Sequence, residues 1–501
     1  MFGQERTSYS IETVKKLIEE DNVEELKKYI SSYFIKLGNS KHILMWIPDE
    51  DKFDILDDSL VLSRYFTKDL VIYINIKNKL MKWYVREWFF GIENPCYRPC
   101  MRINKPEVFE GPGGTKYINM MPQPIHIKKE RKAFSSYSKE IQNKVQHIWE
   151  HFNAVYCSRK KDQFEYIQKW FSHLISGRKM TTALYIRALQ GIGKSLPIVF
   201  LKNKVLGTQL VCQTSDSNII SGRFNGPLAG RILFILEEAP CATIGEWKTL
   251  EAKLKNFITE KTISIEKKGK DQVDVENTCS FIIFTNSDSI RMSWDNRRIF
   301  ECDSSDELLG KHKYFTDLAK IMEEDEVGEA FYWNCIEIAE KNSNFNEQAQ
   351  RPVSDAFKKN VTNNAPSIYT FIKEKFILKG KGIDMKSGGL YNMYENYCRD
   401  KKFINVLKKA MAIEKWKEIG IEYIPRDTKH HNQNWIKCSK ECLLKIFQDK
   451  HLIHETDDFE VPNEETTTDE ETTTDEEKTE KKEEKPTNDE KFLGTDEGEV
   501  E

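Results

Sequence analysis

Five consecutive residues, Gly191-Ile192-Gly193-Lys194-Ser195, have the types and spacing needed to cradle a chain of phosphates. Glycines let the backbone turn sharply and present its N–H groups to an anion. A lysine ammonium reaches the outer phosphates, and a neighbouring hydroxyl ligates Mg2+. The segment follows the apolar run Leu184–Leu189 and precedes SLPIVFLKN, whose period is helical. That order matters because the strand delivers the turn and the following helix offers its free N–H groups. Pro197 suits the first helical turn, where a missing N–H costs nothing. In its full form the pattern carries glycine five residues before Gly193, where this chain has Ala188.

Further along, Arg231-Ile-Leu-Phe-Ile-Leu-Glu237-Glu238 is a buried-type strand ending in two acids, 43 residues after Lys194. Hydrolysis of ATP needs a carboxylate near Mg2+ and another to polarise the attacking water. Glu237 is assigned to the metal together with Ser195, and Glu238 to the water. A third apolar run, Cys279 to Thr285, ends at Asn286, placed to sense the γ-phosphate. Between these runs, alternation on both sides of Gly269 reads as a hairpin whose tip carries Lys267, Lys268 and Lys270. Three such lysines suit a nucleic-acid phosphate backbone. Taken alone, three lysines would more often mark a solvated hairpin end. Asp295-Asn296-Arg297-Arg298 follows, and Arg297 or Arg298 is a candidate to act in trans on a neighbour's γ-phosphate. The plainer alternative for either is a surface ion pair.

The elements that must position these residues alternate. Short apolar runs, ALYIRAL, RILFILEE and CSFIIFTN, are separated by helical patterns, as an α/β domain with a mainly parallel sheet requires. Five segments are expected. Residues 1–134 form a mixed α+β region, beginning with two helices broken near Asp21-Asn22, and DLVIYINIKNKLMKWYVREWFF is expected to give strands. Residues 135–180 are helical, and 181–345 hold the α/β core. Residues 346–454 read as three helices followed by a hairpin, the layout of a winged helix. The acidic, Thr-rich repeat of 455–501 is too polar to fold and is expected to be disordered.

Charge is divided unevenly. Between Glu455 and Glu501 there are 21 acidic and 5 basic side chains, so the formal net of −4 separates into −16 there and +12 elsewhere. A basic body suggests a polyanionic partner. No stretch approaches the ~20 apolar residues of a membrane span, and MFGQERTSYS lacks a signal peptide's apolar core. With eleven scattered cysteines, the expectation is an intracellular, soluble protein without a membrane partner.

Taken in order, GIGKS, ILEE, the lysine-tipped hairpin, FTN and NRR resemble the superfamily 3 helicases of viruses and plasmids. Within these the chain is similar to the helicase part of poxvirus-type, phage and plasmid primase–helicases, best from Ser135 to Asp303. YINMMP weakly resembles the segment that enters such domains. The resemblance implies an AAA+-like ATPase core assembled as a homo-oligomeric, usually hexameric, ring. ATP would bind between subunits, and one strand would pass a channel lined by the hairpin. Lys194, Ser195, Glu237, Glu238, Asn286 and Arg297 or Arg298 would then carry the ATPase cycle, with Lys267 or Lys268 tracking the strand. Primase and nicking activities are not assigned. The N-terminal segment is short and poor in paired acids on strands, Asp57-Asp58 is expected in a surface turn, and no His-x-His pair occurs there.

The expected function is therefore an ATP- and Mg2+-dependent helicase acting on single-stranded DNA, with replication proteins as possible further partners. Two alternatives stay open: an RNA-virus helicase, and a nucleotide-switched origin-binding or loading protein that does not unwind.

Overall fold

The computed structural model describes residues 8–459, apart from 39–40, 49–51, 77–78, 104, 239–243, 267, 269–271, 287–289, 404–405 and 454–456. Lys267, Lys270 and most of the acidic tail lie outside the described residues.

The N-terminal region is mixed. Helices α1 (Ile11–Glu19) and α2 (Val23–Tyr33) are separated at Asp21, which takes φ 51°, and Asn22, whose side chain caps α2 by accepting from the Glu25 N–H. Strands β1 (Phe34–Lys36), β2 (His42–Ile47) and β3 (Lys52–Asp57) form an antiparallel sheet in that order. Asp57 caps α3 (Asp58–Arg64), so this acid pair sits at a strand-to-helix junction. A hairpin of β4 (Val71–Ile76) and β5 (Lys79–Tyr84) follows. The expectation of strands throughout this stretch fails at its end, because Val85–Phe90 is a helix, α4. Val85, Trp88 and Phe89 lie at helical spacing and are all buried, so packing overrides aromatic strand preference. Strands β6 (Arg98–Cys100), β7 (Val108–Glu110) and β8 (Lys116–Asn119) complete the region in the order β6-β8-β7.

Two long helices come next. Ser138 caps α5 (Lys139–Cys157), and left-handed Ser158 ends it; α6 (Lys161–Ile175) follows. The α/β core then comprises β9 (Ala183–Arg187), α7 (Leu196–Phe200), β10 (Val211–Thr214), α8 (Asn218–Ser221), β11 (Leu233–Leu236) and α9 (Ile244–Thr259). It continues with the hairpin β12 (Thr262–Ile265) and β13 (Val273–Glu276), then β14 (Ser280–Thr285) and β15 (Ile299–Glu301). Five of these strands form one parallel sheet in the order β10-β11-β14-β9-β15. Every residue of β11 and β14 is buried, as strands covered on both faces must be. Along β9 the side chains alternate: Leu184 and Ile186 join one apolar cluster, Ala183 and Tyr185 the other. The first cluster includes α5, α6 and α11 (Asp325–Lys341), which follows α10 (His312–Met322); the Trp149 and Phe331 rings stack at 4.7 Å within it.

Helix α12 (Asp355–Asn363) leads into the C-terminal unit. This contains α13 (Ser367–Ile372), β16 (Ile383–Lys386), α14 (Ser387–Asp400), α15 (Lys409–Ile419), β17 (Glu422–Asp427), β18 (Gln433–Cys438) and α16 (Lys440–Asp449). The expected three helices and hairpin are present, with β16 added to make an antiparallel sheet β16-β18-β17. The apolar core does not break at residue 346: Phe371 and Trp416 belong to the same cluster as Phe234 and Phe281 of the parallel sheet. Among the described residues no helix is long and apolar enough to cross a membrane.

Candidate active site

Strands β11, β14 and β9 are neighbours and parallel, so their C-terminal ends open side by side. The Gly191–Ser195 loop leaves β9, Glu237 and Glu238 follow β11, and Asn286 follows β14. Ligands of open parallel sheets collect at this edge. Here Gly191, Gly193, Lys194, Ser195, Glu237, Glu238 and Asn286 line one cleft of about 390 Å3.

The loop's conformation explains its glycines. Gly191 and Gly193 have φ of 85° and 82°. A Cβ on Gly193 would come within 2.5 Å of the Phe315 ring and 3.0 Å of the His151 ring. Ala188 has no positive φ, so its Cβ is tolerated where the fuller pattern has glycine. Its carbonyl accepts from Lys194 Nζ at 3.2 Å, and the same ammonium contacts Asn286 Oδ1. Burial lowers the Lys194 pKa, while Glu238 and Glu237 act to raise it.

Ser195 Oγ donates to Glu237 Oε1 at 3.3 Å. Gln213, at the C-terminal half of β10, donates to the same oxygen at 2.7 Å. A hydroxyl and a carboxylate are hard oxygen donors. Adjacent ligands of an octahedral Mg2+ at ~2.1 Å stand about 3 Å apart, so this pair fits that ion. Glu238 is exposed and has φ 57°, unusual outside glycine, while its N–H is tied to the Phe284 carbonyl at 3.0 Å. Strain of this kind concentrates where a side chain must be aimed. Here Glu238 is exposed and lines the cleft.

Two residues of α5 hold the loop from behind. His151 Nε2 lies 3.1 Å from the Gly193 carbonyl and Nδ1 lies 3.0 Å from the Tyr314 hydroxyl. A carbonyl only accepts, so Nε2 carries the proton and Nδ1 accepts from Tyr314. Burial pushes His151 down to about 4. Tyr156 donates its hydroxyl to the Lys194 carbonyl.

Comparison with known proteins adds three findings. Residues 186–298 match a family of unknown function, DUF5906. Over 228 residues the chain is 25% identical to the DNA primase-polymerase of Nitratiruptor phage NrS-1, covering 45% of this chain and 30% of that protein's length. The apo structure of the NrS-1 C-terminal region aligns with a TM-score of 0.52 at 17% identity, covering 80% of this chain and 86% of that one. This chain shares a fold with that region. It is related to the phage protein, and it spans less than a third of that protein's length.

Other expected residues lie apart from the cleft. Arg297 is exposed and Arg298 half-buried, just before β15. The Arg298 carbonyl accepts from the N–H of Ala183, the first residue of β9. Both arginines therefore stand at the opposite edge of the sheet from Lys194. Lys268 is exposed in the β12–β13 turn. Asn225 holds the turn end of β12, donating to the Ser264 carbonyl at 2.8 Å and accepting from the Glu266 N–H at 2.8 Å.

Sequence reasoning passed over Gln213, His151 and Tyr156. A glutamine on a short strand carries no motif. A histidine and a tyrosine among helical apolar positions read as ordinary core.

Proposed function

We propose that this chain binds ATP with Mg2+ in the Lys194–Glu237–Glu238 cleft, hydrolyses it, and uses the cycle to move along single-stranded DNA as a helicase in the replication of a viral or plasmid-like element. The observation that carries this reading is the convergence of a loop lysine, a hydroxyl–carboxylate pair, a second carboxylate and an asparagine at the ends of three adjacent parallel strands. The strand order supports reading the core as AAA+-like. The relationship to a phage DNA primase-polymerase favours DNA over RNA as the track.

In this reading Lys194 neutralises the outer phosphates, and Asn286, already touching Lys194, reports the γ-phosphate. Ser195 and Glu237 hold Mg2+, which when bound screens the phosphate charge. Glu238 orients a water and takes its proton. Arg297 and Arg298 are remote from their own subunit's cleft, which fits a role on a neighbour's nucleotide in a ring, usually hexameric. Lys267, Lys268 and Lys270 contact the strand.

The test is ATP hydrolysis by the full chain with single-stranded DNA or RNA, followed by strand displacement on matched duplexes. A motor loses unwinding in Glu238→Gln while retaining ATP binding. Unwinding of RNA alone, or full unwinding by Glu238→Gln, contradicts the proposal.

A further inference from the structure

The positive charge of the body is concentrated. Between residues 366 and 453 there are 18 lysines and arginines against 10 aspartates and glutamates, a net of +8 out of the +12 carried by residues 1–454. The ATPase cleft and the lysine hairpin lie elsewhere, so they do not account for this excess.

Pairing within the unit divides its cations into two groups. On α15, Lys415 pairs with Glu418 at 2.5 Å and Lys417 with Glu414 at 2.8 Å. Lys401 pairs with Glu374 and Lys437 with Asp384. Several exposed cations make no ion pair among the described residues; among them Lys408 and Lys409 stand together at the start of α15, and Arg426 and Lys429 at the β17–β18 tip. The first turn of α15 carries no acid and exposes Ala410 and Met411 beside the two lysines.

The acid nearest the tip is already occupied. Asp427 accepts from the Lys429 N–H at 3.0 Å and contacts His430 Nδ1 at 2.8 Å. The His430 ring stacks on Trp435 with centroids 3.6 Å apart and planes at 6°, and Trp435 Nε1 donates to Asp384 at 2.5 Å. These interactions brace the tip, in which Arg426, His431 and Asn432 all take positive φ. A braced turn presenting unpaired cations loses little conformational freedom on binding an anion.

The chain reverses at Gly420, which takes φ 104°. Both cation pairs therefore lie at ends remote from that reversal, one along α15 and one along β17. An exposed helix turn is of the size a major groove admits. Single-strand sites instead need open aromatic platforms, and the hairpin's Trp435 lies beneath His430. We propose that Lys408, Lys409, Arg426 and Lys429 form a second nucleic-acid surface that takes the phosphate backbone of a duplex. It is separate from the hairpin assigned to the translocating strand.

The experiment measures binding of a short blunt DNA duplex to the full chain without nucleotide, across a salt series. The variants are a Lys408→Ala/Lys409→Ala/Arg426→Ala/Lys429→Ala chain and a Lys415→Ala/Lys417→Ala chain. The fourfold variant is expected to weaken the duplex complex about tenfold or more and to lower the salt slope by about 1 for each phosphate no longer neutralised. The twofold variant, which removes ion-paired lysines from the same helix, is expected to leave both unchanged. Unaltered affinity and slope in the fourfold variant would overturn the proposal, as would an equal reduction in both variants. Single-strand-stimulated ATP hydrolysis on the same preparations should stay at the parent level; its disappearance together with duplex binding would assign these cations to the motor and overturn a separate surface. Absence of hydrolysis in the parent would refute the proposed function and leave the duplex comparison intact.

Discussion

Ser195 Oγ and Glu237 Oε1 stand 3.3 Å apart although 42 positions separate them in the chain. The sheet order brings them together: β11 is one strand removed from β9, with β14 between. The oxygen donors, the loop and Asn286 thereby meet at one edge.

The strained acid beside this pair should be the most sensitive position for chemistry. Glu238→Gln keeps the shape and removes the proton acceptor. Steady-state hydrolysis should fall by about 10²- to 10⁴-fold while ATP affinity, measured by equilibrium titration, stays near the parent value. A loss of binding that matched the loss of turnover would mean that Glu238 holds the nucleotide instead.

The loop's glycines are not equivalent to Ala188. Gly193→Ala must place a Cβ 2.5 Å from Phe315 at φ 82°, so it should cost about 1–3 kcal/mol of stability and disrupt nucleotide binding. Ala188→Gly should leave nucleotide affinity unchanged, because its backbone needs no left-handed freedom. Thermal unfolding and nucleotide titration of the two variants check this; weaker binding in Ala188→Gly would contradict it.

Acid should loosen the support behind the loop. His151 is buried and neutral, with its folded pKa pushed from the usual 6.5 to about 4. Below about 6.5 the unfolded chain therefore binds the extra proton. The contribution of this residue is present above that pH and is lost as pH falls toward 4, by at most about 1.4 kcal/mol per pH unit. Denaturant titrations at several pH values should show a shallower decline across this window in His151→Gln. An identical decline in both proteins would rule out His151 as a source.

The acidic tail should compete with nucleic acid for the basic body. Removing residues 460–501 is expected to tighten non-specific DNA binding and to steepen its salt dependence. Unchanged affinity and slope would leave the tail a solubilising segment only.

The site was legible where chemistry and local pattern coincide. A buried parallel strand reads as a short apolar run, and a glycine turn or terminal acids mark its end, so Gly191–Ser195, Glu237–Glu238 and Asn286 stood out. What tertiary packing alone supplies stayed hidden. Gln213 meets Glu237 only because β10 lies beside β11, and His151 and Tyr156 support the loop only because α5 runs behind it. In the fold, VREWFF looked like a strand until burial of Val85, Trp88 and Phe89 made it a helix. The four residues of β16 were too few to show alternation.

The most direct measurement is the rate of ATP hydrolysis by the full chain, with and without single-stranded DNA, beside the Lys194→Ala variant. Mg2+-dependent hydrolysis should rise with single-stranded DNA, rise less with RNA, and be abolished by Lys194→Ala. Hydrolysis indifferent to DNA, or undiminished in Lys194→Ala, would contradict the proposed function.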